Sequence, residues 1–103
     1  MINVYFTPTF RGHLREIRDY IAQDSVFQSK RVVAEIFRVV HRLRDFPEIG
    51  AFIPEMTTKR FREIHAFKYR IIYRFYKMTN EVRIFAVVHA ARQLSRKFFR
   101  ELE

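Results

Sequence analysis

The spacing of apolar positions changes along the chain, and each change predicts a different element. Residues 2–7 alternate, with Ile2, Val4 and Phe6 on one side, which predicts a short, half-buried strand. Thr7-Pro8 ends this strand. The pair also suits the start of a helix, because Thr is a good cap and Pro is tolerated at the first helical position.

Two amphipathic helices are predicted next. The first carries one apolar stripe, at Phe10, Leu14, Ile17 and Ile21. Asp24 or Ser25 is expected to cap the second helix. The second stripe is wider, so it must be buried along much of its length, and it comprises Val32, Val33, Ile36, Phe37, Val39, Val40 and Leu43. This helix should end before Pro47, because a residue that precedes Pro is disfavoured in the helical conformation. The two helices therefore form an antiparallel hairpin.

The second half of the chain is predicted to be mostly strand. Residues 47–59 contain two Pro and one Gly without a clear period, which indicates a loop. Strand patterns follow at 61–66, 69–76 and 82–88, and residues 77–80 connect the last two as a hairpin. Leu94, Phe98 and Leu102 indicate a short C-terminal helix. The chain is thus predicted to be one α+β domain, residues 1–103, with an N-terminal strand and an antiparallel helical hairpin packed on one face of a small, mostly antiparallel sheet.

The hairpin of the last two strands is predicted to have one apolar and one cationic face. If Tyr76 faces Glu81, residues 69, 71, 73 and 75 lie opposite 88, 86, 84 and 82, and this apolar face should meet the helices. The other face then holds Arg70, Arg74 and Arg83, with Lys68 and His89 at one end. Arg74 and Arg83 stand opposite each other, which is unfavourable for folding. We expect an open cationic surface for a negatively charged macromolecule, whereas the alternative is a merely solvated sheet face.

Composition narrows the class of protein further. The chain carries 20 Lys+Arg against 11 Asp+Glu, a net charge of +9, which favours polyanionic or acidic partners. It has no Cys and no closely spaced His pair, so neither a metal site nor any other cofactor is expected. His13 and His41 are expected to be solvated.

No apolar stretch approaches the ~18 residues that a membrane span needs. The N-terminal residues lack the pattern of a secretory signal, so a cytoplasmic location without membrane contact is expected.

Several short motifs resemble, in order, those of the ParE branch of the ParE/RelE toxin superfamily. In the first half they are Thr7-Pro8, Leu14, Ile17, Tyr20-Ile21-Ala22, Leu43, Phe46-Pro47 and Gly50. In the second half they are Arg62-Glu63-Ile64, Tyr69-Arg70-Ile71-Ile72-Tyr73 and Val87-Val88-His89-Ala90-Ala91-Arg92-Gln93. The resemblance implies a toxin encoded with an antitoxin that neutralises it.

The resemblance implies two alternative targets. ParE-like toxins inhibit DNA gyrase, whereas RelE-like relatives cleave ribosome-bound mRNA without a metal. Gyrase inhibition is favoured here, because RelE-like toxins usually carry a Tyr near the C-terminus and no Tyr follows Tyr76. An inactive family member, or an accessory nucleic-acid-binding domain, is a further alternative.

Candidate site residues follow from these alternatives. If the chain is a ribonuclease, Glu63 or His65 is the candidate base, Arg70 the phosphate-binding cation and His89 the acid. Arg70 is alternatively structural, paired with Glu63 on the neighbouring strand. The residues expected to bind the target or an acidic antitoxin segment are Arg62, Lys68, Arg70, Arg74, Arg83, His89 and Arg92.

Overall fold

The computed structural model describes residues 1–103, which form a layer of helices on a five-stranded sheet. In chain order the elements are β1 (Asn3–Phe6), α1 (Pro8–Ala22), α2 (Val26–His41), a 3-10 turn (Arg42–Arg44), β2 (Ala51–Phe52), β3 (Arg62–Ala66), β4 (Tyr69–Tyr76), β5 (Glu81–His89) and α3 (Arg96–Leu102). The sheet order is β1-β5-β4-β3-β2, with β1 parallel to β5 and the other pairs antiparallel. The predicted α+β arrangement is confirmed. The two-residue β2 was not predicted, because it lies inside the segment interpreted as a loop.

Side-chain caps fix the starts of both long helices. The Thr7 hydroxyl accepts a hydrogen bond from the Phe10 N–H at 3.3 Å, and Pro8 occupies the first helical position as predicted. Ser25, one of the two predicted candidates, caps α2 and accepts from the Gln28 N–H at 3.1 Å. The short link between Ala22 and Val26 folds the two helices back on each other.

The first core lies between the helical hairpin and the sheet. Its buried side chains are Phe10, Ile36, Val39, Val40 and Leu43 from the helical layer and Ala66, Ile71, Tyr73, Val82, Ile84 and Val87 from the sheet. Phe37 belongs to the predicted apolar stripe of α2, but its side chain is 41% exposed. It lies at the rim of the core, where its ring meets Phe6 edge-on at a centroid distance of 5.6 Å.

The predicted register of the β4–β5 hairpin holds for only half of its length. Tyr76 faces Glu81 and Arg74 faces Arg83, as expected, and Tyr73 still faces Ile84. Phe85 is then an extra residue, so that Ile72 pairs with Ala86 and the predicted pairing of 71 with 86 and 69 with 88 is wrong. This β-bulge turns two successive residues of β5, Phe85 and Ala86, toward the same side of the sheet.

The expectation of an open cationic face is also wrong. The bulge gives that side of the sheet enough apolar surface for a second core, built from Ile72, Phe85, Ala86 and Val88 under Ile53, Phe61, Leu94 and Phe99. Helix α3, capped by Ser95, and the chain between β2 and β3 cover it. The cations are therefore separated by a buried patch instead of sharing one surface. None of the helices is long and apolar enough to cross a membrane.

Candidate functional site

Arg70 lies at the centre of a buried ion-pair cluster instead of facing solvent. Its Nε donates to Glu63 at 2.6 Å, and its two Nη groups donate to both oxygens of Glu55 at 2.7 Å each. The Arg70 side chain is 6% exposed, and the side chains of Glu55 and Glu63 are 15% and 11% exposed. The structural alternative for Arg70, pairing with Glu63, is thus observed, and a second carboxylate was not foreseen.

Four segments of the chain build this cluster. Glu63 and Arg70 come from the neighbouring strands β3 and β4, while Glu55 reaches over from the loop after β2. Glu55 also accepts from the Leu94 N–H at 3.3 Å, so it ties the segment before α3 to the same cluster. A cavity of about 510 Å³ adjoins these residues.

The electrostatics of the cluster favour its charged form. Hydrogen bonds from Arg70 lower the pKa of Glu55, and they outweigh burial, which would raise it. The hydrogen bond to Glu55 is in turn the main cause that raises the pKa of Arg70. Glu63 is further engaged by His65, whose Nε2 lies 3.1 Å from the carboxylate. Neither carboxylate is therefore an isolated base.

Arg74 and Arg83 form a separate cluster at the turn end of the hairpin. Both guanidinium groups lie over the ring of Tyr76, at 4.6 and 5.2 Å from its centroid, which relieves the like-charge pairing. Each has its own carboxylate, Arg74 with Glu103 and Arg83 with Glu81. Arg83 is 49% exposed and Arg74 only 24%, so Arg83 is the more accessible cation.

The other predicted residues are dispersed. Arg62 is partly buried and donates to the carbonyl oxygens of Glu48 and Gly50, at 3.0 and 2.8 Å. Lys68, His89 and Arg92 are exposed at the end of the hairpin remote from Arg83. The structure thus joins Glu63, His65 and Arg70 into one cluster, while His89 lines a different cavity.

Sequence reasoning missed two residues of these clusters, Glu55 and Glu103, and the burial of a third residue outside them, His13. Glu55 and Glu103 lie in a loop and after the last helix, where no periodicity assigns a partner. His13 was expected to be solvated, but it is half-buried, and its Nδ1 accepts the Val87 N–H at 3.4 Å. A weak signal existed for His13, since it precedes the buried-stripe residue Leu14 on α1 and so lies beside the apolar face.

The fold is shared with chains of known type II toxin–antitoxin systems. The chain is similar to a chain of the chromosomal ParDE system of P. aeruginosa, with a TM-score of 0.71 at 18% identity over 86% of this chain and 96% of that one. It is also similar to a chain of the RelBE2 toxin–antitoxin complex of Mycobacterium tuberculosis, with a TM-score of 0.59 at 23% identity over 85% and 96%. The curated protein sequences give no match.

Residues 4–94 match the family model described as the ParE toxin of the type II toxin–antitoxin system parDE. The chain therefore belongs to the ParE toxin family, which confirms the branch that the sequence motifs favoured.

Proposed function

We propose that this chain acts as a toxin by inhibiting DNA gyrase and that a cognate antitoxin neutralises it. Membership of the ParE family supports the target, since gyrase inhibition is what the resemblance implies for that branch. Gyrase inhibition is preferred to RNA cleavage because of one observation, the burial and ion pairing of Arg70. This strand arginine was the candidate to bind the phosphate in RNA cleavage.

RNA cleavage would require a cation that is free to stabilise the crowded phosphate. The Arg70 guanidinium already donates to Glu55 and Glu63 and is almost completely buried. Hydrogen bonds that involve charged groups contribute about 1.5–3 kcal/mol each, and several would have to break before a phosphate could replace the carboxylates. An approaching phosphodiester would also meet two negative charges. Arg70 is therefore suited to fixing the fold, and Glu63 and His65 are engaged by the same network.

The mode of action that remains is binding to a protein target, for which we propose no cofactor and no catalytic residue. An ion-pair cluster that fixes the sheet against the segment before α3 supplies rigidity, which favours binding because less conformational entropy is lost on association. We place this activity in the cytoplasm, where gyrase and a co-expressed antitoxin would both be met.

The purified chain should abolish supercoiling of relaxed plasmid DNA by purified DNA gyrase. A basic protein can also coat DNA without specificity. Relaxation of the same plasmid by a type I topoisomerase is therefore the control, and it should continue at the same protein concentration. Equal inhibition of both enzymes would indicate DNA coating, and unimpaired supercoiling in large molar excess of the chain would contradict the proposed target.

For the antitoxin we propose an acidic segment that runs along the β4–β5 hairpin and contacts the exposed cations at both of its ends, Lys68, His89 and Arg92 at one end and Arg83 at the other. The net charge of +9 favours such a partner, and charge complementarity mainly accelerates association. Arg62, Arg70 and Arg74 would support this surface from within, because their guanidinium groups already have partners.

A matched pair of variants tests this surface. Arg83 and Arg38 each form an exposed ion pair with a Glu of their own element, so Arg83→Gln and Arg38→Gln remove the same charge from different faces. Arg83→Gln should slow association with the antitoxin encoded beside the toxin, and the defect should shrink in high salt. If Arg38→Gln slows association as much, general charge and not this surface governs binding.

A further inference from the structure

A second cavity shares Arg92 with the cavity beside the Arg70 cluster, but the rest of its lining comes from other residues. It has a volume of about 320 Å³ and is bounded by α1, the ends of β4 and β5, and Arg92. Its polar and aromatic lining residues are His13, Glu16, Tyr20, Tyr69, His89 and Arg92. These side chains come from separate parts of the chain, and neither the ion-pair cluster nor the proposed gyrase inhibition accounts for their convergence.

Two of the four histidines of the protein line this cavity, and each accepts a backbone hydrogen bond at Nδ1. Nδ1 of His13 accepts the Val87 N–H at 3.4 Å, and Nδ1 of His89 accepts the Ala91 N–H at 3.1 Å. A ring nitrogen that accepts a hydrogen bond carries no proton, so the proton of each neutral imidazole lies on Nε2. Both histidines therefore have an Nε2–H as a remaining donor.

Arg92 adds a full positive charge to these donors. It forms no salt bridge with any carboxylate, and its guanidinium lies over the ring of Phe98 at 5.2 Å from the centroid. His13 stacks on the same ring, with an interplanar angle of 12° and a centroid distance of 6.5 Å. Phe98 thus positions both the cation and one imidazole, while Tyr69 packs edge-on against the other at 6.0 Å.

Tyr20 and Tyr69 add aromatic surface to this cationic pocket. Tyr20 is 74% exposed and has no aromatic partner, so its ring is available for stacking. Aromatic rings beside a positively charged groove are the combination that binds unpaired nucleotides, in which bases stack and phosphates meet cations. Glu16, the one carboxylate in the lining, opposes an anion but can accept hydrogen bonds from ribose or base.

We propose that this cavity binds a nucleotide, with its phosphate held by Arg92 and the Nε2–H groups of His13 and His89 and its base stacked on Tyr20 or Tyr69. Burial and the charge of Arg92 lower the pKa of His13, whereas Glu16 raises it. A bound phosphate would favour the charged imidazole and so raise the pKa of His13. The site is independent of the gyrase target, and failure of one leaves the other intact, whereas its residues His89 and Arg92 are shared with the surface proposed for the antitoxin.

The histidine Cε1–H resonances in proton NMR test the site directly, with adenosine 5′-monophosphate as the probe. His13 and His89 should shift with one common, saturable binding curve. His41, exposed at the end of α2, and His65, paired with Glu63, are internal controls and should stay unchanged. His→Gln variants assign the four resonances. No saturable shift, or equal shifts of all four histidines, would overturn the proposal.

Two further comparisons of binding affinity test the phosphate contact and the base contact separately. Arg92→Gln should weaken binding of adenosine 5′-monophosphate at least about tenfold, since it removes a charge-assisted contact to phosphate. The matched control Arg96→Gln, an exposed arginine at the start of α3, should not, and equal losses would refute a specific contact. Inorganic phosphate should bind more weakly than the nucleotide. Equal affinity would overturn the part of the proposal that involves the base.

Discussion

Replacing Arg70 with Met tests how far the buried ion-pair cluster holds the fold together. The substitution keeps an unbranched apolar stem but removes the only cation that contacts both carboxylates. Glu55 and Glu63 would be left close together with 15% and 11% of their side chains exposed. A carboxylate deprived of its partner in such surroundings keeps its desolvation penalty without the compensating attraction.

The expected loss of stability follows from this geometry. Removing one member of a buried ion pair costs about 3–5 kcal/mol. The lower end of about 3 kcal/mol applies here, because both carboxylates retain some contact with water. Domains of this size are stable by about 5–15 kcal/mol, so the loss is a large fraction of the total. It corresponds to a fall in melting temperature of roughly 12–24 °C, at about 4–8 °C per kcal/mol.

Urea denaturation followed by far-UV circular dichroism is a suitable assay, because the chain has no Trp for fluorescence. Arg38→Met is the control, since it breaks an ion pair on the exposed face of α2 and should cost far less. A loss below about 1 kcal/mol for Arg70→Met would place the cluster with ordinary surface pairs and refute the reasoning.

The effect of a second substitution should depend on whether Arg70 is present. Glu55→Gln in the wild-type chain should destabilise, because it weakens the hydrogen bonds from the guanidinium. In the Arg70→Met background the same change should stabilise, because it removes an unpaired carboxylate. The lowered pKa of Glu55 adds a pH signature. The contribution of the Glu55 carboxylate to folding stability should be complete above the ordinary pKa of a Glu side chain. It should be lost as the pH falls through the lowered pKa of Glu55.

Other substitutions test separate parts of the fold. The hydroxyl of the fully buried Tyr73 donates to the Pro47 carbonyl and accepts the Gly50 N–H, both at 2.9 Å. Tyr73→Phe should therefore lower the free energy of unfolding by about 1–3 kcal/mol, measured by urea denaturation. An unchanged free energy of unfolding would contradict a stabilising role of these two hydrogen bonds. Gly50→Ala should also destabilise, because the new Cβ would lie 2.6 Å from the same hydroxyl, and an unchanged melting temperature would argue against the close contact. Phe99→Ala should cost about 3–5 kcal/mol by opening the second core, whereas a loss below about 1 kcal/mol would mean that α3 packs loosely. Burial lowers the pKa of His13, so the folded protein resists protonation of this side chain. The free energy of unfolding should therefore fall as the pH drops below 6.5, the ordinary pKa of His in an unfolded chain. His13→Gln should reduce this fall, and an unchanged pH profile would exclude His13 as a cause.

The elements of the fold were predictable because each leaves a local signature. Thr7-Pro8, the helical stripes and the alternation in 69–76 depend on neighbours within a few positions, so periodicity captures them. The register near the turn was predictable for the same reason, since the four-residue connection fixes Tyr76 opposite Glu81.

The β-bulge at Phe85 could not be predicted from periodicity. In a continuous apolar run such as 84–88, every residue suits either face, so the pattern contains no mark of an extra residue. The bulge changes the packing of the whole sheet face as well as the strand register. Once Phe85 and Ala86 share a face with Ile72, that face needs a cover, and α3 together with Phe61 supplies it.

The partners of the charged side chains were only partly predictable. The pairing of Glu63 with Arg70 follows from adjacent strands, two residues out of direct register and so on the same face of the sheet. Glu55 approaches from a loop whose path depends on tertiary packing, so no sequence rule connects it with Arg70. The net charge of the sequence did not reveal which arginines form ion pairs within the fold and which remain free for a partner.

The central claim, a ParE-family toxin that acts on gyrase and not on mRNA, is tested most directly in bacterial cells that express the chain without antitoxin. Plasmid topology on chloroquine gels and the integrity of a translated mRNA should be measured together after induction. We predict a loss of negative supercoiling while the mRNA stays intact. Cleaved mRNA with unchanged plasmid topology would contradict the account.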